Sequence, residues 1–147
     1  MSDESAEFGP AEAMALVGET FAPWVERMGL QLVEGGPKQA LLRLPGNPDL
    51  QLRGGPGKGV LCGQAIAAVA DTSCVLALAA ANGRFRNCTT VEMSVRYIRP
   101  IPPGDTDVVV DIESNGRTLA VLRVAVRVAG GDKTAALATA TFMYLEG

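Results

Sequence analysis

Residues 59–82, GVLCGQAIAAVADTSCVLALAAAN, decide how the chain is put together. The stretch is rich in Ala, free of Pro and poor in β-branched residues, which predicts a helix. It is apolar on almost every face, so the helix should be buried all round. Gln64, Asp71, Thr72 and Ser73 oppose a membrane span, because an Asp near the centre of a span is heavily penalised. Asp71 is the one carboxylate in the stretch. It lies in the helix interior and cannot be the N-cap. A charge there is costly unless it is paired, hydrogen-bonded or needed for chemistry. Upstream, Gly54, Gly55, Pro56, Gly57 and Gly59 make a flexible approach. Gly63 falls near the first turn, where backbone N–H groups are free. A helix start able to hold an anion, followed by one buried carboxylate, is the sharpest chemical signal in the sequence. A central helix with a structurally satisfied Asp is the plainer reading of the same residues.

The rest of the composition narrows the chemistry. At 147 residues the chain is expected to be one domain over 1–147, large enough for a core. Residues 1–10 are acidic and polar and are expected to be disordered. A net charge of −3 and the lack of any Lys/Arg-rich run argue against a nucleic-acid partner. The N-terminus has no basic region followed by an apolar run, so no signal peptide is expected. Cys62, Cys74 and Cys88 are odd in number and widely spaced, which suggests free thiols in a reducing, cytoplasmic compartment. There is no CxxC pair and no His, so neither a metal nor another cofactor is expected. The lack of His also excludes Ser-His-Asp and Cys-His apparatus and every carboxylate–His dyad within this chain. Acid–base work falls to a carboxylate, a Lys, a Tyr or a thiol.

Around the central stretch the elements follow from pattern. From Ala11 to Arg27, and on to Met28, Met14, Val17, Phe21, Trp24 and Val25 recur at helical spacing, with Pro23 breaking or kinking the helix. Gln31–Val33 and Gln39–Leu44 read as short strands about a Gly35-Gly36-Pro37 turn. Pro45 to Gly59 is loop. Its Gly-Gly-Pro-Gly-Lys-Gly run is not a phosphate loop, because Lys58 is followed by Gly and the GxxxxGK spacing is not met. Asn82-Gly83 ends the central helix. In Thr89–Ile98, Val91, Met93, Val95 and Tyr97 alternate with Thr90, Glu92, Ser94 and Arg96, which predicts a half-buried strand with those two faces. Asp107–Glu113 and Thr118–Val128 are strands joined by a type I′ turn at Asn115-Gly116. Gly130-Gly131-Asp132 turns into a last strand, Ala135–Tyr144. The order predicts an α+β architecture, an antiparallel meander wrapped around one buried helix.

These residues resemble the hot-dog-fold acyl-CoA thioesterases of the PaaI type, from about Phe21 to Tyr144. The carriers are Met28-Gly29-Leu30, then Leu61-Cys62-Gly63 with Ala70-Asp71-Thr72. Thr90-Val91-Glu92-Met93-Ser94-Val95, Arg99-Pro100-Ile101-Pro102-Pro103-Gly104 and Asn115-Gly116-Arg117 complete the set. Gly63 and Asp71 match the family's helix-start Gly and the Asp eight residues on, and Thr90 matches a Ser/Thr position on the following strand. Cys62 stands where His is usual and Gln64 where a second Gly is usual. An Asn often found on the preceding loop has no counterpart among Arg53 to Gly59.

Gly63 and Asp71 are separated by roughly 12 Å of helix rise. If both act on one thioester, the Asp must come from a second copy of the chain. The resemblance implies the same, a homodimer or dimer of dimers with sites at the interface. The mechanism expected on this basis gives the Gly63 N–H, aided by the helix dipole, to the thioester carbonyl. Asp71 of the partner subunit is a general base on water or a nucleophile giving a mixed anhydride. Thr90 orients the carboxylate or is an ordinary strand residue. Cys62 and Gln64 border the site, and Cys62 is the alternative nucleophile. Arg99, Arg117 or Lys58 would meet the phosphates of an acyl-CoA, or are simply solvated. A non-catalytic acyl-CoA-binding or interaction module is the competing reading, favoured by the residues at 62 and 64. Retention of Asp71 speaks against it.

Overall fold

The computed structural model describes residues 7–146. In chain order the elements are α1 (Pro10–Thr20), α2 (Pro23–Glu26), β1 (Gln31–Gly35), β2 (Gln39–Leu44), α3 (Gly63–Asn82), β3 (Cys88–Tyr97), β4 (Thr106–Asn115), β5 (Leu119–Val128) and β6 (Ala136–Tyr144). The strands form one antiparallel sheet in the order β1-β2-β4-β5-β6-β3, curved around α3. This is the α+β hot-dog arrangement that the resemblance implies.

Period-2 alternation puts one face of each strand against the helix. Leu42, Val108, Val110, Leu122, Val124 and Phe142 form the inner sheet face, and Val69, Ala70, Cys74, Leu76 and Ala77 meet them from α3. The small residues of α3 let it lie close to the sheet. At the β1 edge the approach is so tight that a Cβ on Gly35 would collide with the Ala80 Cβ. The helix stops at Gly83, whose φ of 74° is left-handed and suits a residue without a side chain.

Four sequence expectations change in the fold, and one is narrowed. First, α3 is not covered all round: Gln64 is exposed, and Ala67, Ala68, Asp71 and Val75 are only half-buried. These residues recur at helical spacing and form one open stripe. Second, the meander is broken. β3 does not pair with β4 but lies at the far edge beside β6. Pro100, Pro102 and Pro103 lack N–H donors and cannot build a tight hairpin, so the connection crosses the end of the sheet. Buried Ile101 plugs it, and its carbonyl accepts the Leu61 N–H at 2.9 Å.

Third, no type I′ turn forms at Asn115-Gly116, since neither residue has a positive φ. Asn115 instead ends β4 opposite Ala120, and three residues make the loop. Its side chain is engaged elsewhere: Asn115 Oδ1 accepts the Tyr144 hydroxyl at 2.6 Å, and Nδ2 donates to Asn82 Oδ1 at 2.9 Å. That network ties the last residue of α3 to β4 and β6. Fourth, of the break or kink expected at Pro23 the structure has the break. Pro23 opens the separate helix α2, where its missing N–H costs nothing. Fifth, helix α1 begins at Pro10; residues 1–6 of the segment expected to be disordered lie outside the described residues.

Candidate active site

The loop before α3 is fixed by backbone bonds to its surroundings. Cys62 N–H donates to Leu50 O at 2.8 Å, and the Cys62 carbonyl accepts the Ile66 N–H at 3.2 Å. The Cys62 side chain makes no capping bond, and the first turn carries no acidic residue. Among the described residues the N–H of Gly63 meets no backbone acceptor. The positive end of a 20-residue helix is therefore left open to an incoming carbonyl oxygen.

Two turns along, Asp71 faces the open stripe. Its Oδ1 accepts the Thr90 hydroxyl at 2.6 Å, a short, charge-assisted bond between α3 and β3. The sequence alternation puts Thr90 on the face opposite Met93, Val95 and Tyr97. A β-bulge overturns that: Thr90 pairs with Phe142 and Glu92 with Thr141, so Val91 is an extra residue in β3. The insertion reverses the alternation once. Thr90 thus joins Met93, Val95 and Tyr97 on the side facing the helix, and Val91 and Glu92 are both exposed.

The same bulge brings in a residue that motif reading did not single out. Tyr97 lies an odd number of residues after Thr90, so an unbroken strand would send the two to opposite faces. With the bulge they share one. The Tyr97 hydroxyl donates to Gly63 O at 3.1 Å, and its ring covers the glycine, with Cε1 3.5 Å from where a Cβ would sit. β3 therefore holds both ends of the candidate site, Asp71 through Thr90 and the α3 start through Tyr97.

A family model, the thioesterase superfamily, matches residues 58–135, just over half of the chain. The chain belongs to the thioesterase superfamily. The matched segment contains the loop into α3, all of α3 and strands β3 to β5. A conserved protein of Pseudomonas aeruginosa is 31% identical, with a TM-score of 0.74 over 87% of this chain and 98% of that one. A thioesterase of Haemophilus influenzae is 18% identical, with a TM-score of 0.77 over 92% and 90%. Zebra fish thioesterase superfamily member 2 is also 18% identical, with a TM-score of 0.75 over 92% and 98%. At 18% the likeness is one of fold alone. A search of curated proteins found no match.

The remaining residues named from the sequence are spread over the thioesterase fold. Asp71 and Thr90 are in contact, whereas Gly63 is near neither. Cys62 and Gln64 flank Gly63, the first as N-cap and the second on the open stripe. Arg99 follows β3, where its Nε donates to Thr134 O at 3.1 Å. Arg117 sits in the β4–β5 loop, and its carbonyl accepts from Arg86 Nη2 at 3.0 Å. That loop follows Asn115, which is bonded to Asn82 at the C-terminal end of α3, roughly 30 Å of helix from Gly63. Arg99 and Arg117 are thus not brought together in one chain. The cations lying just before α3 are Arg53 and Lys58, which line a cavity of about 490 Å³ beside the loop. Cys74 and Cys88 are poor nucleophiles. Burial, and then the Asp71 charge, raise both thiol pKa values.

Proposed function

We propose that this thioesterase-superfamily chain is an acyl-CoA hydrolase of the PaaI type, working as a cytoplasmic homodimer, alone or paired into a dimer of dimers. The observation that carries the reading is the Asp71–Thr90 contact of 2.6 Å, made on a helix face that a single chain leaves open. β3 supplies the means of pairing. It is a ten-residue edge strand with exposed Val91 and Tyr97, whereas β1 at the other edge has only five residues. A long open edge invites another strand. Antiparallel pairing of β3 with its own copy, about the strand's midpoint, sets the Thr90 end of one chain against the Tyr97 end of the other. Asp71 then approaches Gly63 of the partner subunit, which one helix cannot achieve alone.

In this site the thioester oxygen lies on the Gly63 N–H, where the α3 dipole favours the negative charge that develops. Asp71 takes a proton from water as the water oxygen attacks the carbonyl carbon. The tetrahedral intermediate collapses, the C–S bond breaks, and the thiolate leaves with the proton that Asp71 held. In the nucleophilic variant the carboxylate attacks the carbonyl carbon, the C–S bond breaks and the thiolate leaves. Water then cleaves the mixed anhydride to the free acid and the restored carboxylate, its proton passing to the thiolate. No cofactor is used.

The test is free-thiol release from a panel of acyl-CoAs by the wild type and by Asp71→Asn. Hydrolysis by the wild type, reduced by roughly 10²–10⁴ in a folded variant, is expected. Acyl-CoA binding without hydrolysis would support the competing binding module, which the Cys62 and Gln64 replacements favour. An acyl group trapped on Cys62 would move the nucleophile there.

A further inference from the structure

We propose that the cavity lined by Pro48, Asp49 and the loop 51–59 is a phosphate-binding subsite, which takes the phosphorylated nucleotide end of the thiol leaving group. The proposal rests on the acyl-CoA reading above and assigns a specificity role to Arg53 and Lys58. Both residues line the cavity of about 490 Å³, together with Gln51 and a single acidic residue, Asp49. Two cations against one carboxylate leave the lining with one net positive charge. Among the described residues, neither Arg53 nor Lys58 is held in an ion pair, a state they share with Arg99 and Arg117. Both are therefore free to meet a doubly charged anion, Arg53 with a planar fork and Lys58 as a point charge.

The loop is also built rather than loose. Leu52 N–H donates to Val60 O and Gly59 N–H to Leu52 O, both at 2.9 Å, while Lys58 N–H closes a turn on Gly55 O at 3.2 Å. Gly55 and Gly59, at φ of 81° and 91°, supply left-handed turns on either side of Lys58. The chain runs only four residues from Gly59 to Gly63, at most roughly 14 Å. That span is within reach of an extended pantetheine arm. A thioester seated on the Gly63 N–H would lay its nucleotide across Arg53 and Lys58 of the same subunit. Arg99 and Arg117 are not needed for it.

The test compares the wild type with the Arg53→Gln/Lys58→Gln double variant on substrates that share one acyl group. These are acyl-CoA, acyl-dephospho-CoA and acyl-N-acetylcysteamine, the last of which lacks phosphate. The expected result is a fall in kcat/KM of about tenfold or more for acyl-CoA, carried by KM, with no change for acyl-N-acetylcysteamine. A loss confined to acyl-CoA places the 3′-phosphate in the cavity, and a loss shared with acyl-dephospho-CoA places the diphosphate there. An equal loss on all three substrates, or no loss on acyl-CoA, overturns the proposal. Titration calorimetry with CoA itself keeps the test independent of turnover. If no thioester is hydrolysed, the acyl-CoA hydrolase reading fails. About tenfold weaker CoA binding by the double variant then still supports the subsite, and equal binding or none overturns it.

Discussion

A hydroxyl 2.6 Å from a carboxylate oxygen fixes where that carboxylate points, and Thr90 does this for Asp71. Removing a hydrogen bond to a charged group costs about 1.5–3 kcal/mol. Thr90→Val is therefore expected to lower kcat about tenfold or more, with Thr90→Ser restoring most of it. A drop in Tm at unchanged turnover per folded molecule would make the contact structural only. A second carboxylate shows the same physics without a site. Asp107, buried on β4, accepts from Arg43 Nε at 2.8 Å and from Gly130 N–H at 3.3 Å. Burial raises its pKa, but the bonds from Arg43 and Gly130 and the charges of Arg43 and Arg127 outweigh that and leave it lowered. A group with a depressed folded pKa adds stability above its unfolded value, about 3.9 for Asp, and loses it as pH falls through the folded value. Asp107→Asn should lower Tm near neutrality and flatten its decline below about pH 4. Melting curves across that range check this, and an acid limb as steep as wild type would discount the ion pair.

At the scale of elements, the contact between α3 and β1 depends on one missing methyl group. Gly35→Ala places a Cβ against the Ala80 Cβ, closer than two such atoms can approach. Overpacking of this kind costs typically about 1–3 kcal/mol, read as a lower midpoint in urea. Ala80→Gly in the same chain should return part of it, less about 1 kcal/mol of helix propensity. A double variant no better than Gly35→Ala alone would mean that the strand, not the contact, requires glycine. The bulge in β3 is the other element-scale device. It adds one residue, Val91, and by reversing the alternation gives one strand contact with Asp71 and with the start of α3.

At the scale of the whole molecule, the open stripe on α3 and the free β3 edge lie side by side. Sedimentation at micromolar concentration should give a dimer or a dimer of dimers; an active monomer would sink the shared site. Gly63→Pro removes one N–H donor, and Asp71→Asn removes the base. Each homodimer should be inactive, whereas mixed dimers contain one intact site and one doubly damaged site. Recovery of activity on mixing, with subunit exchange confirmed by mass, is the expected outcome. Exchange without recovery would show that Gly63 and Asp71 are not shared across the interface.

The sequence alone determined the central helix, its lone carboxylate and the α+β class. Each rests on local composition and spacing, which do not depend on what packs nearby. It also set the distance between Gly63 and Asp71, eight residues of helix, which one thioester spans only if the two come from different copies. Lack of His removed whole classes of mechanism before any geometry was known. Only the tertiary structure decided which face of β3 carries Thr90, because the bulge exists in the pairing with Phe142 and Thr141 of β6 and not in β3 itself. The same holds for the edge position of β3, which the prolines after Arg99 allow but only the sheet order fixes. Tyr97 over Gly63 and Asn115 drawn away from its turn are likewise contacts between distant segments. Alternation and turn preference act over a few residues, and a pairing partner elsewhere in the chain can override them.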